Sequence, residues 1–421
     1  MSTLQEIAGS PQALPAWQLS AGLRRFASFA LAAAYAMVQM AHAVFDNFDD
    51  LRYASVVFVF IALQSLIRPR LLIFREQLIY LVFAGYVTLS LLWTPDRVLA
   101  MNTVLPTLNF VLVLTLFSSM LTYGDRRAVV AGALTGFLIG AAAYSEWTRY
   151  PFLYPEVFPY NAVASMYLFG LLMTCLWGWQ RKARIIPLAV GMIVLLLIAG
   201  TTSIKTNLGV MLGTAATAIV YFRRSLHALR RSVFLLILLG GAVIAATLSS
   251  PFMVDRVTAG VLRVTSGAEV LTERDKERDA SQMGLETRER WRDQGVAGWQ
   301  RNPVIGYGAE AFRADFGITS HSTPVDLLYN FGIIGLGLFY SVFASLALRL
   351  VRAGRQGSVG PQPLIFAGIV CYSFISLSGT VFYNAFVAMF IATACVFIGD
   401  ESGSGDELHA EPRARLDSAQ S

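Results

Sequence analysis

The sequence predicts an all-α fold: a polytopic transmembrane helical bundle of about twelve spans, with one long extracytoplasmic loop of short amphipathic helices. Three observations predict it. Of 421 residues, 55% are hydrophobic and only 14% charged, whereas a soluble domain carries about 25% charge. Mean hydropathy is +0.56, and apolar runs approaching the roughly 20 residues needed to cross a 30 Å hydrocarbon core recur along the chain. Between those runs the basic residues alternate in density from one connection to the next, as the positive-inside rule requires of a multi-pass protein.

Taken in order, the candidate spans are residues 26–45, 53–67, 77–93, 104–121, 128–145, 161–179, 185–200, 207–222, 233–249, 327–348, 364–378 and 381–398. The second is short for a bilayer, and the last two are parted only by Gly379 and Thr380. A wrong count would scramble the charge alternation, and it does not. With the N-terminus inside, 19 of the 33 Lys and Arg fall in cytoplasmic segments, from Arg24 and Arg25 to Arg413 and Arg415. The short outer loops hold only Arg52, Arg97, Arg149 and Lys205, and the one long outer segment holds the remaining 10. Both termini are therefore expected in the cytoplasm. The polar start, without a basic n-region before a short apolar core, predicts no cleaved signal peptide.

These spans divide the chain into a cytoplasmic N-terminus (1–25), nine helices (26–250), a long outer loop (251–326), three more helices (327–399) and a cytoplasmic tail (400–421). The tail is rich in Gly, Ser and charge and is expected to be disordered. The loop far exceeds ordinary connections, and such loops are usually functional or disordered. Its run TERDKERD (272–279) reads as a solvated face or mobile connector. Residues 284–316 differ, because Trp291, Trp299, Phe312 and Phe316 are spaced for amphipathic helices lying on the membrane surface.

Several function classes are excluded. The charge of +6 is dispersed over short loops rather than gathered in a patch, so no nucleic-acid partner is expected. Cys175, Cys371 and Cys395 all lie in apolar runs without paired spacing, which predicts small buried hydrophobes, neither disulfides nor a zinc site. No Walker A, HExxH, CxxC or DxD pattern occurs, so neither a metal nor another cofactor is expected. GYGAEAF, residues 306–312, faintly resembles a dinucleotide loop, but no strand precedes it and it lies outside the cytoplasm.

Residues able to do chemistry collect at the outer side. His321, a few residues before the tenth span, is the one histidine placed for exterior chemistry; His42 lies in a span, His227 in a basic cytoplasmic loop and His409 in the tail. Position alone fits a general base as well as a histidine that merely bonds backbone at a helix start. Lys205, in the polar turn TTSIKTNLG, reads either as a snorkelling cation or, beside the start of the following helix, as a phosphate ligand. Arg288, Arg290 and Arg292 in TRERWRD suit a solvated helix anchored by Trp291. One of them turned inward would instead suit a diphosphate. Glu146 with Arg149 and Asp96 with Arg97, beside aromatic and Pro residues, are weaker candidates for an interfacial or sugar-binding belt.

At these residues a resemblance emerges. The segment 288–337, with RxxW, then NPVIGYGAEAF, then SHSTPVDLLYNFGIIGLG, resembles the signature region of the O-antigen ligase and polysaccharide polymerase superfamily of bacterial inner-membrane proteins. TTSIKTNLG is similar to its Ser-Arg or Ser-Lys motif. The motifs cover about 135 residues, and the layout of spans with one large periplasmic loop matches over the whole chain. Three departures stand out. Ser322 follows His321 where the family often has Asn, and Lys205 stands for the usual Arg, so a bidentate grip becomes a point charge. Arg288 and Arg290 both fit the third motif, Arg288 better.

The resemblance implies a metal-independent, inverting glycosyltransferase at the periplasmic face of the inner membrane, acting on a glycan carried by undecaprenyl diphosphate. Lys205 and Arg288, or Arg290, would hold the donor diphosphate, and His321 would deprotonate or orient the acceptor hydroxyl. The implied partners are the lipid-linked glycan, membrane lipids, an acceptor glycan or lipid A-core, and other polysaccharide assembly proteins. Lys in place of Arg and the sequence DLLYN favour an exopolysaccharide or O-antigen polymerase over an O-antigen ligase. A transporter or flippase without chemistry is the reading from another class; it predicts intramembrane charges, broken helices and internal repeats, whereas the ionisable residues here collect at the outer end and no repeat is visible.

Overall fold

The computed structural model describes residues 20–44, 59–60, 63, 74–143, 160–181, 190–191, 194, 204–221, 241, 285–320, 322–355, 360–377, 379, 381–382 and 384–399. Among these, all regular structure is helical. In chain order the helices are α1 (Ala21–Val44), α2 (Arg75–Leu89), α3 (Arg97–Tyr123), α4 (Arg126–Ala143), α5 (Tyr160–Arg181), α6 (Ile204–Tyr221), α7 (Leu285–Trp299), α8 (Ala311–Phe316), α9 (Thr323–Arg355), α10 (Gln362–Ser376) and α11 (Ala385–Gly399). Predicted spans two, seven and nine, apart from the few residues just named, and the charge run 272–279, Glu146 and Arg149, His227, and the tail with His409 lie outside the described residues.

Two described helices, Arg97–Tyr123 and Thr323–Gly354, are long and apolar enough to cross a bilayer, and Leu208–Tyr221, Gln362–Ser376 and Ala385–Ile398 are shorter apolar helices. Local chemistry sets the helix ends. Asp96 caps α3 by accepting from the Val98 and Leu99 N–H groups, each at 2.9 Å, two of the donors that a helix start leaves without partners. The span read from residue 77 to residue 93 is α-helical only to Leu89, then tightens into a 3₁₀ turn over Ser90–Leu92, where the Ser90 hydroxyl turns back to the Val87 carbonyl at 2.7 Å.

The helices pack in contiguous pairs: α1 on α4, α6 on α10, α3 on α11, and α2 on both α3 and α9. In lipid there is little hydrophobic drive between helices, so close approach and shared polar contacts hold such pairs. Gly209 and Gly213 let α6 approach so near α10 that a Cβ at either would fall 2.9 Å from Cys371 Sγ or 2.4 Å from the Ala367 carbonyl. Gln77 on α2 donates to Ser118 of α3 at 2.8 Å. An aromatic core lies where α2, α3, α9 and the segment before α11 meet, with Tyr80 stacked on Phe110 at 4.1 Å and Phe83 edge-on to Phe331 and Phe382. Cys371 and Cys395 are buried and Cys175 is half-buried, all as free thiols.

Two features depart from the sequence expectation. The span read as one helix over 327–348 belongs to a longer helix that breaks at Gly332, where φ is 62° and ψ −164°. Charge is also not confined to the outer end. Glu76, at the opposite end of α2 and fully buried, lies 3.0 Å from Arg349 of α9, with Ser345 donating to it at 2.9 Å and Cys395 of α11 at 3.8 Å.

Candidate functional site

The break in α9 is built, and its builder is the segment between α7 and α8. A break leaves carbonyls orphaned on one side and N–H groups on the other, and burying them unpaired is costly. Each finds a partner in residues 303–308. Tyr307 and Gly308 donate to the Tyr329 and Asn330 carbonyls at 3.0 and 2.7 Å, while Ile333 and Ile334 donate to the Pro303 and Val304 carbonyls at 2.9 and 3.3 Å. Gly306 and Gly332, at φ 68° and 62°, face the opposing backbone so closely that a Cβ would sit 2.5 Å from Asn330 C and 2.2 Å from Val304 O. The glycines that faintly resembled a dinucleotide loop thus serve to splice this loop into the helix.

The splice is anchored from α2 and its turn. Tyr86 donates to the Ile305 carbonyl at 3.0 Å, Thr94 to the Ala309 carbonyl at 2.6 Å, and Ala309 N–H donates to Ser90 at 3.1 Å. Helix α7 lies against α9, with Gly295 beside Val325 and Phe312, and Gly298 beside Tyr329. Trp291 and Phe312 were expected to face the membrane surface; instead they bury with Ala311 and Tyr329 in a satellite core that Tyr307, Phe316 and Ile318 flank. The reason is partner availability: the start of α9 offers α7 a protein surface that the amphipathic pattern alone cannot reveal. Trp299 is half-buried, its indole donating to the Pro303 carbonyl at 3.0 Å.

This scaffold leaves a small polar pocket, lined by Thr103 of α3, Glu310, Phe312 and Arg313 around the start of α8, Thr319, Asp326 and Asn330 of α9, and Phe382. Glu310, with φ 56°, is the one non-glycine residue in the left-handed region among those described. It is only 8% exposed, and Thr103 donates to its carboxylate at 2.5 Å. Asn330 Oδ1 accepts from the Phe312 N–H at 2.9 Å, and Asp326 from the Ser320 N–H at 3.1 Å. Thr323, opening α9, donates to the Gly379 carbonyl at 2.6 Å and accepts from the Val381 N–H at 3.0 Å, which pins the α10–α11 connection to the same end.

The sequence-predicted residues stand as follows. His321 lies outside the described residues; its neighbours Ser320 and Ser322 are buried, with Ser322 N–H donating to Ser320 Oγ at 3.1 Å. Position 205 is in the first turn of α6. The antiparallel pairing of Gly209 with Cys371 and Gly213 with Ala367 continues to put it opposite position 375, one turn short of residue 379. Position 288 is in the first turn of α7, on the helical face that carries Trp291, Gly295 and Gly298. Arg290 and Arg292 are exposed, as are Asp96, which serves as a helix cap, and Arg97. Sequence reasoning missed Glu310, Arg313, Asp326, Asn330 and Thr103. Thr103 could not be found from its own surroundings, since it meets Glu310 across 207 positions.

Among the described residues no cluster of His, Cys, Asp and Glu could hold a metal ion. No curated protein matches the chain. A family model described as O-antigen ligase matches residues 188–340, the stretch that contains positions 205, 288, 290 and 321, the α7–α8 splice and the start of α9; over that stretch the chain is similar to the O-antigen ligase-like superfamily.

Proposed function

We propose that this protein moves a glycan from undecaprenyl diphosphate to a sugar hydroxyl at the periplasmic face of the bacterial inner membrane, and that it does so as a surface-polysaccharide polymerase. The family match over 188–340 carries the reading. Support comes from the fold, in which the first turn of α6, the start of α9 and residue 379 gather at one end of the bundle. On this reading the chain crosses the membrane about twelve times, with both termini in the cytoplasm, and the lipid tail enters laterally between helices.

A glycosyl diphosphate leaves with negative charge growing on its phosphate oxygens. Lys205 and Arg288 stabilise that charge without a metal, as fixed cations at a water-poor surface. Arg288 is preferred over Arg290 because its position shares the packed face of α7 while Arg290 is exposed. His321 takes the proton of the acceptor hydroxyl or orients it, and a single displacement inverts the anomeric carbon. When another lipid-linked repeat is the acceptor, the product is polymer; a ligase would use lipid A-core in its place.

The broken α9 and the buried Glu76–Arg349 pair favour a transporter, because transporters carry buried charges and broken helices that expose backbone groups to a substrate. Here residues 303–308 take those backbone groups, and Ser345 and Cys395 join Arg349 on Glu76, so neither feature is left open to a substrate. The test is a deletion strain complemented with the wild type or with His321→Ala, with lipopolysaccharide and secreted polysaccharide run side by side. A polymerase loses high-mass secreted polymer with lipopolysaccharide unchanged. Loss of glycan from lipid A-core with lipid-linked polymer accumulating would make it a ligase. Full rescue by His321→Ala at normal expression would remove the base.

A further inference from the structure

Two groups in the pocket are buried more deeply than their chemistry requires and are left half-used. The Glu310 carboxylate has Thr103 as its hydrogen-bond partner among the described residues, through Oε1 alone. Its second oxygen has none among them. Asn330, 5% exposed, accepts through Oδ1 from the Phe312 N–H, and its amide NH₂ finds no acceptor among the described residues. Both residues are nearly buried and line one opening, so their free polar atoms meet the opening, where an entering group can take the place of water.

The pair specifies the entrant. One group offers an acceptor and the other two donor hydrogens, and both line the same pocket. A water-sized group that both donates and accepts satisfies them together, and a sugar hydroxyl is such a group. Phe312 and Phe382, which line the same pocket, offer apolar surface to the C–H groups beside it. An amine would leave the Asn330 donors unused, and an ionised carboxylate or phosphate has no hydrogen to donate to Glu310.

We propose that Glu310 and Asn330 form a hydroxyl-recognition subsite for the acceptor glycan, the hydroxyl donating to Glu310 Oε2 and accepting from Asn330 Nδ2. This rests on the glycosyl-transfer reading above and names acceptor-binding residues within it. Thr103 is a positioning residue, holding the carboxylate so that its free oxygen faces the opening.

Each side chain has a near-isosteric replacement that keeps its structural bond and inverts the pocket-facing atom. Glu310→Gln keeps an oxygen for Thr103 and turns NH₂ toward the pocket; Asn330→Asp keeps an oxygen for the Phe312 N–H and removes the donor. The measurement is transfer by the full-length protein in detergent. The donor is lipid-linked glycan extracted from the deletion strain, and the acceptor is the same glycan released from its lipid by mild acid. Each single variant is expected to raise the acceptor KM by about 10- to 100-fold with the donor KM unchanged.

The double variant reverses the polarity, and because a hydroxyl can turn round it is expected to recover at least tenfold of that loss. Single variants that keep the acceptor KM within about twofold of wild type, or that raise both KM values together, overturn the subsite and leave the transfer reading intact. A double variant worse than either single also overturns it. Wild-type protein that makes no product from these substrates counts against the transfer reading itself, and the subsite falls with it. Glu310→Asp, which keeps the carboxylate on a shorter stem, separates loss of the oxygen from failure to fold, since it is expected to retain a KM nearer to wild type than Glu310→Gln.

Discussion

Two buried carboxylates sit at opposite ends of α2 and are treated in opposite ways. Glu76, fully buried, is met by Arg349, Ser345 and Cys395; Glu310, nearly as buried, is met among the described residues by Thr103 alone. A charge taken out of water demands compensation, and the Glu76 end supplies it entirely from within the protein, tying α2, α9 and α11 together. The Glu310 end leaves the compensation incomplete and surrounds it with an opening. Saturation of a buried polar group thus separates a structural bolt from a place made for a ligand, and the two ends should respond differently to mutation.

The largest effects expose that contrast directly. Arg349→Met strands the Glu76 charge and should cost about 3–5 kcal/mol of stability, read as a lower unfolding temperature of the detergent-solubilised protein, with activity per folded molecule retained. Adding Glu76→Gln should restore much of it, because removing both members of a buried pair is far milder than removing one. His321→Ala should do the reverse, lowering transfer about 10²- to 10⁴-fold with the unfolding temperature unchanged. If Arg349→Met silenced the folded enzyme, the bolt would belong to the mechanism and the comparison would collapse.

Next come the arginines of α7. Arg288→Ala should cost roughly 10²- to 10³-fold in turnover, as loss of a group that stabilises developing charge does, while Arg290→Ala should stay within about threefold. Single-turnover transfer with extracted lipid-linked donor distinguishes them. Equal losses would mean that the helical face identified by Trp291, Gly295 and Gly298 is not the face that meets the donor.

Much of this was legible in the sequence, and the illegible part has one cause. Helix positions were set by apolar runs: 161–179 became Tyr160–Arg181, and 385–399, between polar turns, fell inside 381–398 to within a residue at its end. The burial of Trp291 and Phe312, the break at Gly332 and the pairing of Thr103 with Glu310 all depend on segments remote in the chain. Nothing around Gly332 announces a break, because the residues that make it tolerable are 303–308. A glutamate in a polar loop reads as solvated until α3 is seen to face it. His321, Lys205 and Arg288 are proposed for the opposite reason: each sits in a local motif whose residue types are informative alone.

The splice itself gives the next effect in size. Gly332→Ala places a methyl 2.2 Å from the Val304 carbonyl at a backbone angle of φ 62°, so strain and overpacking combine to roughly 2–4 kcal/mol. Because α9 also carries Asp326 and Asn330 into the pocket, this variant should lose stability and acceptor affinity together, unlike the changes at either carboxylate. A Gly332→Ala protein with a normal unfolding temperature would show that the helix can close its break without the loop.

The smallest effect lies at the surface and sets the scale for the others. Arg25 of α1 lies 2.8 Å from Asp125 at the start of α4, but its side chain is 71% exposed. Water and salt screen such a pair, so Arg25→Ala should cost at most about 1 kcal/mol, and less at high salt. Asp125→Ala should cost more than Arg25→Ala, because Asp125 also accepts the Ala128 N–H at 3.0 Å as a cap for α4 and a lost cap costs about 1 kcal/mol by itself. Thermal unfolding of both variants at low and high salt tests this: the Arg25 loss should fade with salt and the capping share of the Asp125 loss should persist. If Arg25→Ala instead matched Arg349→Met, ion-pair geometry rather than burial would govern stability here, and the distinction between the two ends of α2 would have to be rebuilt on distance alone.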